Sequence, residues 1–209
     1  MFKSCLLKES PLVVIVIQLL MILFKDYILA LVCLSILMVA LLYFYRVPSR
    51  PRIRAPYETI VSPSDGTVLE IESKTNGYTR IAIYLSPLDV HLQWYPTYGV
   101  VVERRYVPGQ FNLAYIASKS RYNERVSTLV RNEYGVVRID QIAGQLARRI
   151  VNTATLHTVV RRGEHMGMIK LSSRVDVHVP SSATRILVKK GDTVVGNLTR
   201  IAEWISHTH

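Results

Sequence analysis

Two adjacent hydroxyls, Ser172 and Ser173, stand in the middle of a stretch that otherwise reads as a buried strand. Small and apolar residues lead into them from Gly167. Beyond them Val175, Val177 and Val179 alternate with Asp176 and His178 up to Pro180, a period of two. Adjacent serines fill a core poorly, so the pair reads either as a bulge or tight loop, or as a nucleophilic hydroxyl held in strained backbone. A general base for such a hydroxyl has one good candidate. Asp89 and His91 are two apart, so on a strand they share a face and the carboxylate can orient the imidazole; the plainer reading is a solvated strand face. Ser62-Pro63-Ser64-Asp65-Gly66 has the chemistry of a turn, with Asp65 presented just before a glycine.

Two further groups are polar without a defined chemistry. Asn123-Glu124-Arg125 precedes an expected strand over 126–130 and reads first as a solvated edge. Arg148-Arg149 and Arg161-Arg162 read as a basic face or as a rim that meets phosphate, because guanidinium groups pair well with phosphate oxygens. His165 is assigned no role, and the two cysteines have no metal-ligand spacing.

The elements that must position these residues are mostly short and β-branched. Strands are expected over 67–72, 80–85, 100–104, 135–139, 185–188 and 193–195, with a turn over 189–192. One helix is expected over 140–149, from the spacing of Ile142, Leu146 and Arg149. The fold class is mainly β: a single compact barrel-like β-sandwich with few helices, behind an N-terminal transmembrane anchor.

The anchor is the charge-free run 27–45, long enough to span a bilayer as a helix. The apolar run 11–24 rises only roughly 20 Å as a helix, short of a ~30 Å hydrocarbon core, so it is a strained second span or an interfacial segment. Arg46, Arg50, Arg52 and Arg54 follow the long run, and by the positive-inside rule they hold the main domain on the cytoplasmic side of the cell membrane. Lys3 and Lys8 agree with a hairpin whose ends both face the cytoplasm. The chain thus divides into an anchor over 1–46, a basic Pro-rich linker over 47–59 and a catalytic domain over 60–209. The formal net charge of +11 and pI of about 9.8 favour an anionic partner. Aromatic residues are not interleaved with the basic ones as a single-strand platform needs, so nucleic acid is not expected. Cys5 and Cys33, both in the apolar region, do not make a disulfide framework.

From Phe44 to the end, the motifs and their order are similar to those of the phosphatidylserine decarboxylase family in its short, prokaryote-type form. The stretch Ser173-Arg174-Val175-Asp176-Val177-His178-Val179-Pro180 resembles the family's self-processing site, Ser62-Pro63-Ser64-Asp65-Gly66 its Ser-Pro-x-Asp-Gly signature, and Asp89-Val90-His91 its Asp-x-His. The resemblance implies that Ser173 attacks the carbonyl of Ser172 and cuts the chain. That leaves a β chain 1–172 and an α chain 173–209 whose first residue is a covalent pyruvoyl group. It further implies His91 as proton acceptor and donor, Asp65 as its activating carboxylate, and Asn123, Glu124 and Arg174 as substrate-binding residues. The implied activity converts phosphatidylserine, or its archaeal ether counterpart, to the ethanolamine lipid and carbon dioxide through a Schiff base on that pyruvoyl group, with no metal. The implied partners are an anionic serine phospholipid in the membrane and the two chains of one precursor, and a homodimer is left open. Three positions depart from the family pattern: Ser172 stands where it has glycine, Val47 where it has aspartate, and Trp94 where short members have arginine. The departure at Ser172 leads to an expectation of slow cleavage and a mixture of cut and uncut chains. Two other classes stay open: an unprocessed relative that only binds lipid, and a basic membrane-bound adaptor.

Overall fold

The computed structural model describes residues 15–51, 53–73, 75–145, 149–169 and 173–205. The chain divides into two units, Met1–Tyr43 and Phe44–His209.

The first unit is helical where described. Residues 15–23 are helical, and α1 (Lys25–Phe44) follows, with a mean hydropathy of 2.6. Its length and composition are enough to cross a membrane. The expected second span over 11–24 lies partly outside the described residues, as do Lys3, Cys5 and Lys8.

The second unit is built from β1 (Thr59–Val61), β2 (Gly66–Ser73), β3 (Tyr78–Leu85), β4 (Leu92–Trp94), β5 (Gly99–Val107), one turn of helix α2 (Ala117–Ser120), β6 (Arg125–Asn132), β7 (Gly135–Ile142), β8 (Ile150–Asn152), β9 (Val159–Val160), β10 (His165–Ile169), β11 (Ser173–Pro180), β12 (Thr184–Ile186), β13 (Thr193–Val194) and β14 (Arg200–Trp204). Eight strands form one sheet, in the order β13-β2-β3-β11-β7-β6-β5-β9, which curls as a half-barrel. Two three-stranded sheets, β1-β14-β12 and β4-β10-β8, accompany it. The architecture is mainly β, as the short β-branched runs predict.

Alternation gives the large sheet two distinct faces. Ile81 and Ile83 of β3, Val175, Val177 and Val179 of β11, and Ile139 of β7 are fully buried in one hydrophobic core. The residues between them point the other way. There β11 sets Arg174, Asp176 and His178 against Ile142, Asp140 and Arg138 of β7, and against Tyr84, Ala82 and Arg80 of β3.

The helix expected over 140–149 is not formed where the chain is described. Asp140 to Ile142 continue β7, residues 143–145 are not helical, and 146–148 lie outside the described residues. The helical spacing of Ile142, Leu146 and Arg149 yields to sheet pairing. β7 is hydrogen-bonded on both sides, by β6 and β11, and Asp140 gains Arg138 and His178 as partners there.

Candidate active site

The loop that carries the histidine is closed by its own backbone. β3 ends at Leu85, and a turn follows in which Asp89 N–H donates to Ser86 O at 3.0 Å and Ser86 N–H donates to the Asp89 carboxylate at 2.7 Å. The expected strand over Asp89 and His91 is therefore a turn. The Asp89 carboxylate caps that turn and does not orient the imidazole. Its backbone carbonyl does so instead, with His91 Nδ1 2.9 Å away.

The loop that carries the serine is tied to the first at both ends. β10 pairs with β4, Met168 opposite Leu92, and Ile169 N–H donates to His91 O at 3.3 Å. β11 then starts with Ser173 opposite Leu85. The ties at Leu85–Ser173 and at His91–Ile169 frame His91 and Ser173. Residues 170–172, Ser172 among them, lie outside the described residues. Glycine secures the entry to this frame. Gly167 has φ +154°, and a Cβ there would lie 2.1 Å from Val151 O across the β10–β8 pair.

The chemistry of His91 and Ser173 is complementary. His91 and Ser173 are both fully buried, and His91 Nε2 and Ser173 Oγ are buried polar atoms without a hydrogen-bond partner. A carbonyl only accepts, so Nδ1 carries the proton of a neutral imidazole and Nε2 is left with a bare lone pair. Burial holds the imidazole pKa below its ordinary value, and the nearby Arg46 charge adds to this. The Asp89 carbonyl bond and the Asp89 and Asp65 charges oppose it. The Phe44 ring lies 4.2 Å from the imidazole, centroid to centroid, and supplies part of that burial. A neutral imidazole with a free Nε2 is a general base.

Asp65 stands on the next loop. Its carboxylate accepts from Gly196 N–H at 2.7 Å and from Arg50 twice, at 2.5 and 2.7 Å; His91 is not a partner. Arg50 also donates to Gly196 O at 2.7 Å and lies 4.6 Å over the Trp94 ring. Trp94 is thus an aromatic floor for an arginine that comes from the linker. Gly66, next to Asp65, has φ +143°, and a Cβ there would lie 2.1 Å from Tyr84 O.

The three expected substrate-binding residues are placed elsewhere. The Asn123 side chain is buried and spends its amide on Asn112 N–H, Asn112 O and Ala143 O, each at 2.8 Å. Glu124 accepts from the exposed Tyr106 hydroxyl at 2.9 Å. Arg174 lies on the sheet face opposite Ser173, fully buried, with its fork on Asp176 at 2.6 and 2.8 Å and Ser120 Oγ at 2.9 Å. Arg162, read as part of a phosphate rim, binds the linker carbonyls of Ala55, Pro56 and Thr59 at 2.7, 2.6 and 3.0 Å. Arg148 lies outside the described residues. Arg50 and Phe44 are the members of the site that the sequence hides, because a juxtamembrane arginine and an aromatic at the end of an anchor read as membrane features.

Comparison with known proteins bears on this arrangement. The family model described as phosphatidylserine decarboxylase matches residues 37–202, a range that holds Asp65, His91 and Ser173. The chain is 41% identical over 170 residues to the phosphatidylserine decarboxylase proenzyme of Chlorobium chlorochromatii, covering 78% of each chain. It is 39% identical over 161 residues to that of Streptomyces coelicolor, covering 77% of this chain and 72% of the relative. For the Prosthecochloris aestuarii proenzyme it is 38% over 179 residues, covering 80% and 82%. The chain belongs to the phosphatidylserine decarboxylase family. The stretch that begins at Ser173 pairs with β3 at Leu85, just before the Asp89-Val90-His91 turn, while the Ser62–Gly66 loop meets the linker through Arg50.

Proposed function

We propose that this chain is the proenzyme of a phosphatidylserine decarboxylase that matures by cutting itself between Ser172 and Ser173. The observation that carries this reading is that Ser173 Oγ and His91 Nε2 are both buried and without a hydrogen-bond partner, on segments tied at Leu85–Ser173 and His91–Ile169. His91 takes the Ser173 hydroxyl proton as Oγ bonds to the Ser172 carbonyl carbon. The amide C–N bond breaks, and an ester joins the two segments. Loss of the Ser173 α-proton expels the carboxylate of Ser172, and water then replaces the nitrogen of residue 173, which leaves as ammonia. The products are a β chain 1–172 and an α chain 173–209 with a pyruvoyl group at its start.

The residues fit that group: its precursor is the first residue of β11, buried, with no competing hydrogen bond on its side chain. The pyruvoyl group supplies an electron sink for the electrons released as carbon dioxide leaves phosphatidylserine. His91 Nε2 holds the proton that the product carbon needs. The Asp65 charge favours the imidazolium while that proton is held, and Arg50 fixes Asp65. Asn123 and Arg174 support the surrounding loop and sheet, and the Glu124 carboxylate is the one of the three that meets an exposed group. The apolar α1 with Arg46, Arg50 and Arg54 after it supports a site that works at the cytoplasmic leaflet, where the lipid headgroup is presented.

Intact mass of the purified protein tests the proposal. Wild type is expected to show an α chain beginning at residue 173 and blocked to Edman sequencing, and Ser173→Ala a single uncut chain without activity. A Ser173→Ala protein that still cleaves rejects the assignment. A wild-type chain that never cleaves moves the reading to the lipid-binding relative.

A further inference from the structure

The face of the large sheet that turns away from Ser173 carries a lattice of charge. Across β2, β3, β11, β7, β6 and β5, cross-strand partners form one row Glu72, Arg80, His178, Arg138, Leu129, Glu103, and beside it a row Glu70, Ala82, Asp176, Asp140, Ser127, Arg105. A cavity of about 160 Å³ opens on this face among Arg80, Arg121, Arg125, Arg138, Asp140 and Asp176. A second, of about 260 Å³, adjoins it through the shared walls Arg125 and Arg138 and is bounded further by Arg105, Glu103 and Ser127.

The acidic groups in the first cavity are already committed. Asp140 accepts both arms of Arg138 at 2.7 and 2.8 Å and lies 3.2 Å from His178 Nε2. Asp176 accepts both arms of Arg174 and a third bond from Arg80 at 3.2 Å. Among the described residues, Arg121 and Arg125 have no carboxylate partner: Arg125 Nη1 donates to the Arg121 carbonyl at 2.9 Å, and its Nε is buried with no acceptor. Arg80, 9% exposed, bonds Glu70, Glu72 and Asp176 through its Nη atoms, and only its Nε is buried with no acceptor. Arg105 lines the adjoining cavity together with Glu103. Buried donors without acceptors are rare because each forfeits its hydration, so an acceptor-rich group is missing from this face.

We propose that this pair of cavities is a binding site for a phosphate-bearing anion, with the phosphate against Arg121, Arg125 and Arg80 and the carbon skeleton it is esterified to in the larger cavity. Forked guanidinium groups match the several acceptor oxygens of a phosphate better than the two of a carboxylate. The site is separate from the processing frame. Asp176 is three residues beyond Ser173 on β11, roughly 10 Å along the strand, and on its other face. The same chemistry is offered by a soluble glycerophosphate and by a phospholipid headgroup.

The test uses the full-length chain in nanodiscs, carrying Ser173→Ala so that turnover does not intervene. Calorimetric titration with sn-glycerol 3-phosphate at constant ionic strength is expected to give saturable binding. Arg121→Gln and Arg125→Gln are each expected to weaken it tenfold or more, and Arg125→Lys less. In a second arm, lipid extracted with the protein from mixed phosphatidylcholine and phosphatidylglycerol is quantified. Enrichment of the anionic lipid that both glutamine variants abolish, without binding of the soluble ester, assigns the site to a headgroup. Arg121 and Arg105 are exposed, so Arg121→Gln and Arg105→Gln keep the test open if Arg125→Gln fails to fold. Binding in neither arm, or binding that these variants leave unchanged, overturns the proposal.

Discussion

What surrounds His91, and not its own intrinsic pKa, suits it to the proposed role of base. Burial favours its neutral form, and the Asp89 carbonyl fixes the tautomer that leaves Nε2 bare. The sign of the pH dependence follows. Protonation removes the base, and burial delays protonation to lower pH. The self-cleavage rate should therefore be flat above the ordinary imidazole value of 6.5 and fall only on its acid side, as gel-shift kinetics across pH would show. His91→Ala should slow cleavage by about 10²–10⁴-fold with the fold intact by circular dichroism. Ser172 bears on the same step from the other side of the bond. Attack on its carbonyl bends the backbone, and a Cβ resists bends that glycine accepts. Ser172→Gly should raise the cleavage rate and remove uncut precursor, read as the ratio of α chain to full-length mass; an unchanged ratio would show that the bond is not strained.

At the scale of elements, the linker works as part of the site. Arg50 reaches back across 15 positions of sequence to Asp65, and Arg162 gathers three linker carbonyls from the far side. Arg50→Gln should leave the Asp65 carboxylate with Gly196 N–H alone, slow self-cleavage, and expose residues 47–59 to trypsin. Normal cleavage with a protected linker would limit Arg50 to packing. On β7 and β11 the consequence is acid lability. Burial alone would raise the Asp140 pKa, but bonds from His178 and Arg138 more than reverse this and hold it well below the ordinary 3.8. A depressed folded-state pKa gives stability that is present above the unfolded value and lost as pH falls through and below it. Asp140→Asn should thus lower the urea midpoint at pH 7 and have a smaller effect at pH 3.

For the whole molecule, the testable arrangement is orientation. The charge-free run 27–45 followed by arginines predicts that protease added to sealed inside-out vesicles removes the unit beginning at Phe44, whereas protection of that unit reverses the assignment. The sequence alone determined much of this. The 27–45 run, the β-branched strands and the alternation of Val175, Val177 and Val179 follow from hydrophobic pattern, which is local. Ser173, His91 and Asp65 stand out in the sequence because their motifs follow a recognisable order, and their proposed roles rest on that order. Tertiary structure decided what each one touches. Residues 140–142 became strand because two neighbouring strands supply hydrogen bonds that no local spacing reveals. Arg174 turned out to be a buried support because neighbours on a strand face opposite sides of a sheet, and only the sheet shows which side is the core. Arg50 met Asp65, and Phe44 met His91, through contacts between segments distant in sequence, and such contacts leave no periodic trace in the chain.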